Sequence, residues 1–185
     1  SEQRCALGNS TTSASAPSGR RQRGHELNRR QVFTTSKFEA LQAATRQCVP
    51  TDLMTRALVY VVGSMARNEA IESSDLDLFV VDDLRERNIG ALTPIDHARL
   101  LAGLDQVRDR TGFRAFSRGG GFLDCHSFQE MTDQAGTAQD DARNHFTARM
   151  LMLLNSRPLI GEEAYRHARS TVLKSLYWRD CGDER

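Results

Sequence analysis

Between Ala57 and Asp82 the chain passes through a β-branched apolar run, a glycine-serine pair and two aspartates one residue apart. Few folds accommodate that succession. Ala57 to Val62 is short, apolar and stops at Gly63, which predicts a buried strand ending where the backbone turns sharply. With no Cβ at Gly63, a phosphate can approach the backbone closely, and the following N–H groups and the Ser64 hydroxyl can donate to its oxygens. Arg67, one helical turn further on, can add a bidentate charged contact.

From Ser74 the pattern becomes Asp75-Leu76-Asp77-Leu78-Phe79-Val80-Val81. A strand alternates with period two, so Asp75 and Asp77 share one face and Leu76 and Leu78 the other, and the two aspartate Cα atoms lie roughly 6 to 7 Å apart. Such a pair suits a hard divalent cation. Mg²⁺ takes a few carboxylates together with phosphate oxygens, and two such ions can clamp the attacking and leaving oxygens of a phosphoryl displacement. The competing reading is a solvated face of an amphipathic strand beside an ordinary turn.

At 185 residues and 20.7 kDa the chain can bury one domain core and a small helical lobe. Its 39% hydrophobic and 26% charged residues, with a formal net charge of +1, argue against a broad charge-driven nucleic-acid surface. Cys5, Cys48, Cys125 and Cys181 are scattered without a Cys-x-x-Cys pair, so neither a zinc site nor a dense disulfide framework is expected, and a reducing cytoplasm is the simpler setting. No apolar run approaches the roughly 18 residues of a membrane helix.

Residues 1–24 are rich in Ser, Thr, Ala and Gly, end in the basic cluster Arg20, Arg21 and Arg23, and are expected to be a disordered tail. Leu27, Val32, Phe33, Phe38, Leu41 and Ala44 then predict helix with a break near Thr34-Thr35-Ser36. The charge run Asp82 to Arg87 reads as a solvated loop, and Thr93-Pro94 opens a helix that ends at Thr111-Gly112. Phe113–Phe116 and Phe122–Phe128 are candidate third and fourth strands, separated by a glycine-rich turn. Asp140 and Asp141 precede an apolar helix through Leu154, where capping is the expected role for both, with Arg149 on its surface or facing phosphate. Glu162 to Tyr177 is a last amphipathic helix.

The strand ending in Gly63-Ser64, the ten intervening residues and the Asp75-Leu76-Asp77-Leu78 strand together resemble the signature of the polymerase β-like nucleotidyltransferase superfamily. Gly63-Ser64-Met65-Ala66-Arg67-Asn68-Glu69 looks like the Gly-Ser-x-Ala-Arg-x-Glu form of its bacterial branch. The segment from Asp140 to Leu159 is similar to one in bacterial nucleotidyltransferase-domain and PII-uridylyltransferase-like proteins, although Asn155 stands where those usually carry glutamate. The resemblance covers about residues 57–178.

It implies a mixed α/β domain of the α+β type, with a small sheet under packed helices and a helical C-terminal part. The catalytic domain would span 25–155 and a truncated helical segment 156–185. The implied activity is transfer of a nucleoside monophosphate from a nucleoside triphosphate to an acceptor, with release of pyrophosphate. Asp75 and Asp77 would hold two Mg²⁺ ions, while Gly63, Ser64 and Arg67 would grip the phosphates. The superfamily supplies a third carboxylate from a later strand, and Asp124 is the candidate, as metal ligand and general base, against a water-facing strand-edge aspartate, with Glu130 as fallback. His126 shares Asp124's strand face and could approach a nucleotide or form a pocket wall. The acceptor, a protein among the possibilities, is not specified. A nucleotide-binding regulatory module without turnover is the alternative.

Overall fold

A computed structural model describes residues 19–82, 91–116 and 123–180, with backbone alone at 19–23, 141 and 177–180. The tail before residue 19, the charge run over 83–87, the glycines 119–121 and Cys181 lie outside the described residues, as do the side chains of Arg20, Arg21, Arg23 and Asp141.

The apolar run after Ala57 forms β1 (Leu58–Val61), and all four of its residues are buried. Beside it runs β2 (Leu78–Asp82), antiparallel, with Leu58 opposite Val81 and Val61 opposite Leu78. β3 (Cys125–Ser127) pairs parallel with β2, and β4 (Arg157–Ile160) pairs antiparallel with β1, giving the order β3-β2-β1-β4. This is the small mixed sheet that was expected. Strands apolar at every position need cover on both faces.

Period-two alternation divides the strand side chains between two cores. Val59, Val61, Leu78 and Val80 meet Leu41 of α1 (Gly19–Cys48) and Leu100 and Leu104 of α4 (Pro94–Arg110), and Leu76 joins them. On the opposite face Tyr60, Phe79 and Val81 meet Met131 of α5 (Phe128–Asp133), Met152 of α7 (His145–Leu154) and Val172 of α8 (Glu162–Asp180). Three short helices, α2 (Thr51–Met54), α3 (Gly63–Ala66) and α6 (Ala138–Ala142), complete the described elements. Thr93 caps α4 as expected: its hydroxyl accepts from the Asp96 N–H while the Asp96 carboxylate accepts from the Thr93 N–H.

Several expectations are corrected. α1 does not break at Thr34, and it begins at Gly19, inside the span expected as tail. The buried Thr34 hydroxyl donates to the Arg30 carbonyl and accepts from the Ala70 N–H, so a partner elsewhere in the fold absorbs the group that would otherwise start a new helix. Phe113–Phe116 is not a strand. Gly112 at φ +73° ends α4, and the Phe113 N–H turns back to the Arg108 carbonyl in place of a sheet partner. The fourth expected strand is only the three residues of β3, because the Ser127 hydroxyl accepts from the Glu130 N–H and starts α5 at Phe128. Past residue 155, β4 is an edge strand of the same sheet and α8 packs on the second core. Pro158 is tolerated in β4 because an edge strand leaves one row of backbone donors unused.

The β4–α8 junction depends on Gly161, which has φ +74° and whose Cβ, if present, would lie 2.9 Å from the Ala57 carbonyl oxygen. Gly161→Ala is expected to lower unfolding stability by about 3 kcal/mol through backbone strain and overpacking. Urea denaturation checks it: the midpoint should fall with little change in slope.

Candidate active site

Beyond Val61 the β1–β2 pairing runs one step further, with the Val62 N–H donating to the Asp77 carbonyl at 3.0 Å. Gly63 follows at φ +67°, and a Cβ there would lie 2.8 Å from Asp77 Oδ2. Glycine is therefore required twice, by the left-handed backbone and by the carboxylate against it. The turn and the second aspartate are in contact distance.

Gly63, Arg67, Asp75 and Asp77 line one cleft of about 410 Å³, which also takes in Arg114 and Asn144. The Asp77 carboxyl is held above its usual range, first by burial and then by the Asp75 carboxylate beside it. A cation between these groups would relieve the repulsion. Two carboxylates with open coordination positions toward a cleft fit Mg²⁺, which keeps several waters and accepts phosphate oxygens. Among the described residues no three His, Cys, Asp or Glu side chains converge as a metal site.

The remaining candidates divide. Arg67 reaches the cleft but is exposed, and its Nε donates to Glu69 Oε2 at 2.7 Å. Ser64 is half-buried in α3 and is not in the cleft lining. Asp124 is exposed and is not in the lining either. Stepping back one residue from the Val80–Cys125 register sets Asp124 beside Phe79, on the face shared by Asp77. The fallback, Glu130, sits on α5 and binds Arg143 at 3.2 Å, away from the cleft lining.

His126 is neither a cleft wall nor a surface residue. It is buried, with its ring 5.5 Å from Phe79 and 5.4 Å from His145, and burial together with His145 pushes its pKa down to about 4. It is a neutral packing residue at pH 7. Arg149 is likewise not exposed: it is 1% accessible, its Nη1 donates to Asp140 Oδ1 at 2.7 Å, and the same nitrogen donates to the Met131 carbonyl. Asp140 thus serves as a buried counter-ion and not as a helix cap, and the guanidinium holds its carboxyl below the usual range.

Sequence reasoning missed Arg114 and Asn144 altogether and noted Asn155 only as a departure, yet all three line the cleft. Asn144 begins α7 at φ +60° and makes no side-chain capping bond. The polar Ala142-Arg143-Asn144 interruption before the apolar run carried the signal, since asparagine is the residue after glycine that most readily adopts left-handed backbone.

Residues 45–111 match the family model of the nucleotidyltransferase domain. The match takes in β1, the Gly63 turn, Arg67, both aspartates and α4, while Asp124, Asn144 and Asn155 lie beyond it. Searches of curated proteins and of solved structures returned no match. In a nucleotidyltransferase domain the substrate class is a nucleoside triphosphate and the reaction is nucleotidyl transfer.

The raised Asp77 pKa sets a sign for stability. The folded state holds that proton more tightly than the unfolded chain, so stability is greater at acid pH and declines as pH rises through the folded pKa. Asp77→Asn is therefore expected to raise the thermal midpoint of the metal-free protein at pH 7 by a few degrees, with the difference closing as pH falls through the carboxylate range. Thermal melts in chelator across that range measure it; a variant less stable than the parent at pH 7 would contradict the repulsion.

Proposed function

We propose that this cleft binds a nucleoside triphosphate with Mg²⁺ and transfers the nucleoside monophosphate to an acceptor hydroxyl, releasing pyrophosphate. The acceptor oxygen attacks the α-phosphorus, the bond from that phosphorus to the bridging oxygen of the β-phosphate breaks, and the hydroxyl proton passes to a carboxylate. The observation that carries the reading is the approach of the Asp77 carboxylate to Gly63, with Asp75 coupled to it. One nucleotide tail can then touch the turn and the acids together.

Asp75 and Asp77 would hold the metal, whose chemistry when bound is to neutralise charge on the attacking and leaving oxygens. Gly63 leaves room for the phosphates, the Ser64 hydroxyl and neighbouring backbone donate to them, and Arg67 turns from Glu69 to meet them. Asp124, one residue before β3, completes the site and serves as general base once substrate is bound, since such contacts are commonly long in the empty state. The acceptor is a protein, a nucleic acid or a small molecule, and the resemblance of residues 140–159 to PII-uridylyltransferase-like chains favours the first.

The setting is the cytoplasm, in keeping with free Cys48 and Cys125 and with no described helix long and apolar enough to cross a membrane. Burial and then Asp82 push the Cys125 thiol well up, which makes it a poor nucleophile. The unconverged third acid favours a second reading, a nucleotide-binding regulatory module without turnover.

Incubation with Mg²⁺, each labelled nucleoside triphosphate and a cell extract should release pyrophosphate and label an acceptor. The double variant Asp75→Asn, Asp77→Asn should lose at least about 10³-fold in rate while keeping its circular dichroism. Undiminished pyrophosphate release from the folded double variant would refute the assignment, and nucleotide binding without any release would favour the regulatory module.

A further inference from the structure

α7 gives the cleft a length and a direction. Asn144 and Asn155 flank its ten residues and both line the cleft, so their Cα atoms stand about 16 Å apart at 1.5 Å per residue. Asn155 also lines an adjoining hollow with Arg67 and Glu69, which marks its end of α7 as the one beside the phosphate turn. At the other end, His145 packs its ring 5.4 Å from His126 of β3. β3 is the sheet edge two strands away from β1 and its Gly63 turn. Asn144 therefore stands where the part of a nucleotide farthest from the terminal phosphates would reach.

Two independent features show that this placement is built. Asn144 is one of only two non-glycine residues at positive φ among the described residues, and its exposed amide is not spent on capping α7, the use an asparagine normally has at a helix start. The turn that presents it is braced across its base by the buried Asp140–Arg149 pair, which joins α6 to α7, while Arg149 also reaches the Met131 carbonyl of α5 and Asp140 accepts from the Gly136 N–H. A buried ion pair costs desolvation and contributes little net stability. What it does here is fix one backbone geometry.

Resting on the nucleotide reading above, we propose that the bound base is adenine and that the Asn144 carboxamide reads it. The amide offers a donor and an acceptor side by side, the pairing that matches the N6 amino group and N7 of adenine. Phe116, Leu123 and Leu151 supply apolar cleft wall for the ring. Arg114, the other polar group in the lining away from the acids and the phosphate turn, pairs by geometry with guanine instead, so the two side chains predict different selectivities.

Calorimetric titration separates these possibilities, using Mg²⁺ complexes of ATP, GTP, CTP and UTP and, as a base-free probe, Mg²⁺-tripolyphosphate. The parent chain should bind ATP about tenfold more tightly than the other three nucleotides. Asn144→Gly keeps the left-handed backbone and deletes only the amide. It should weaken ATP about tenfold, level the four nucleotides and leave tripolyphosphate unchanged. Asn144→Asp, which loses the donor, should weaken ATP as well. An ATP preference that survives Asn144→Gly overturns the assignment, as does a preference for another base or an equal loss of tripolyphosphate binding. Failure of the parent chain to bind any of the five probes overturns the nucleotide reading itself.

Discussion

The contact on which the rest depends is one extra rung of the β1–β2 ladder, from the Val62 N–H to the Asp77 carbonyl. It fixes where the chain leaves the sheet and where it returns, and it sets the Gly63 turn against the Asp77 carboxylate. The excursion between them, from Ser64 to Leu76, is tied down from several sides. Thr34 of α1 accepts from the Ala70 N–H, Arg157 of β4 donates to Asn68, and the Ser74 hydroxyl accepts from Ile71. The first two come from α1 and β4, and the third closes the loop on itself. A loop held this way returns its aspartates to one position, which a site built on two carboxylates requires.

That position is costly in the absence of a counter-charge. Asp77 is partly withdrawn from water and faces Asp75, and both effects disfavour its charge. The two cores flanking the sheet offset the cost, and the second contains little free charge. Burial pushes the His126 and His145 pKa values down, and among the described residues the buried Arg149–Asp140 pair is held by three hydrogen bonds from Arg149 to Asp140 and the Met131 carbonyl. Stacking of Tyr60 on Phe79, and of Phe79 against His126, continues along the same sheet face as the acids.

How much of this was legible follows from the range of each interaction. The buried strand ending at Gly63, the Thr93 cap and the last helix depend on neighbours within a few residues, and the pattern shows them, while β2 begins only at Leu78, after both aspartates. The continuity of α1 through Thr34 depends on Ala70, thirty-six residues away, and composition carries no trace of that bond. β4 has four residues and a proline, too few for a period, and exists because β1 offers an open edge. Arg149 reads as a solvated arginine until Asp140 is folded onto it across the α6–α7 turn. The polar contributors to the cleft were missed for the same reason, since Arg114 and Asn144 face it from non-regular backbone or a helix start that tertiary contacts define.

On the proposed reading, the charge layout of the cleft favours a nucleotide that enters together with its cation. Its centre carries two carboxylates, and the nearest cation at the phosphate turn, Arg67, is already engaged by Glu69. A triphosphate entering alone would meet like charge at close range in a partly dehydrated hollow, where Coulomb repulsion is several-fold stronger than in bulk water. A polyanion and a divalent cation entering together meet no such barrier. Asn155 contributes a neutral hydrogen-bonding group at that end of the cleft. Asp75 and Asp77 are the acids within the cleft lining, so on the proposed reading metal affinity and triphosphate affinity would depend on one pair of side chains and rise or fall together.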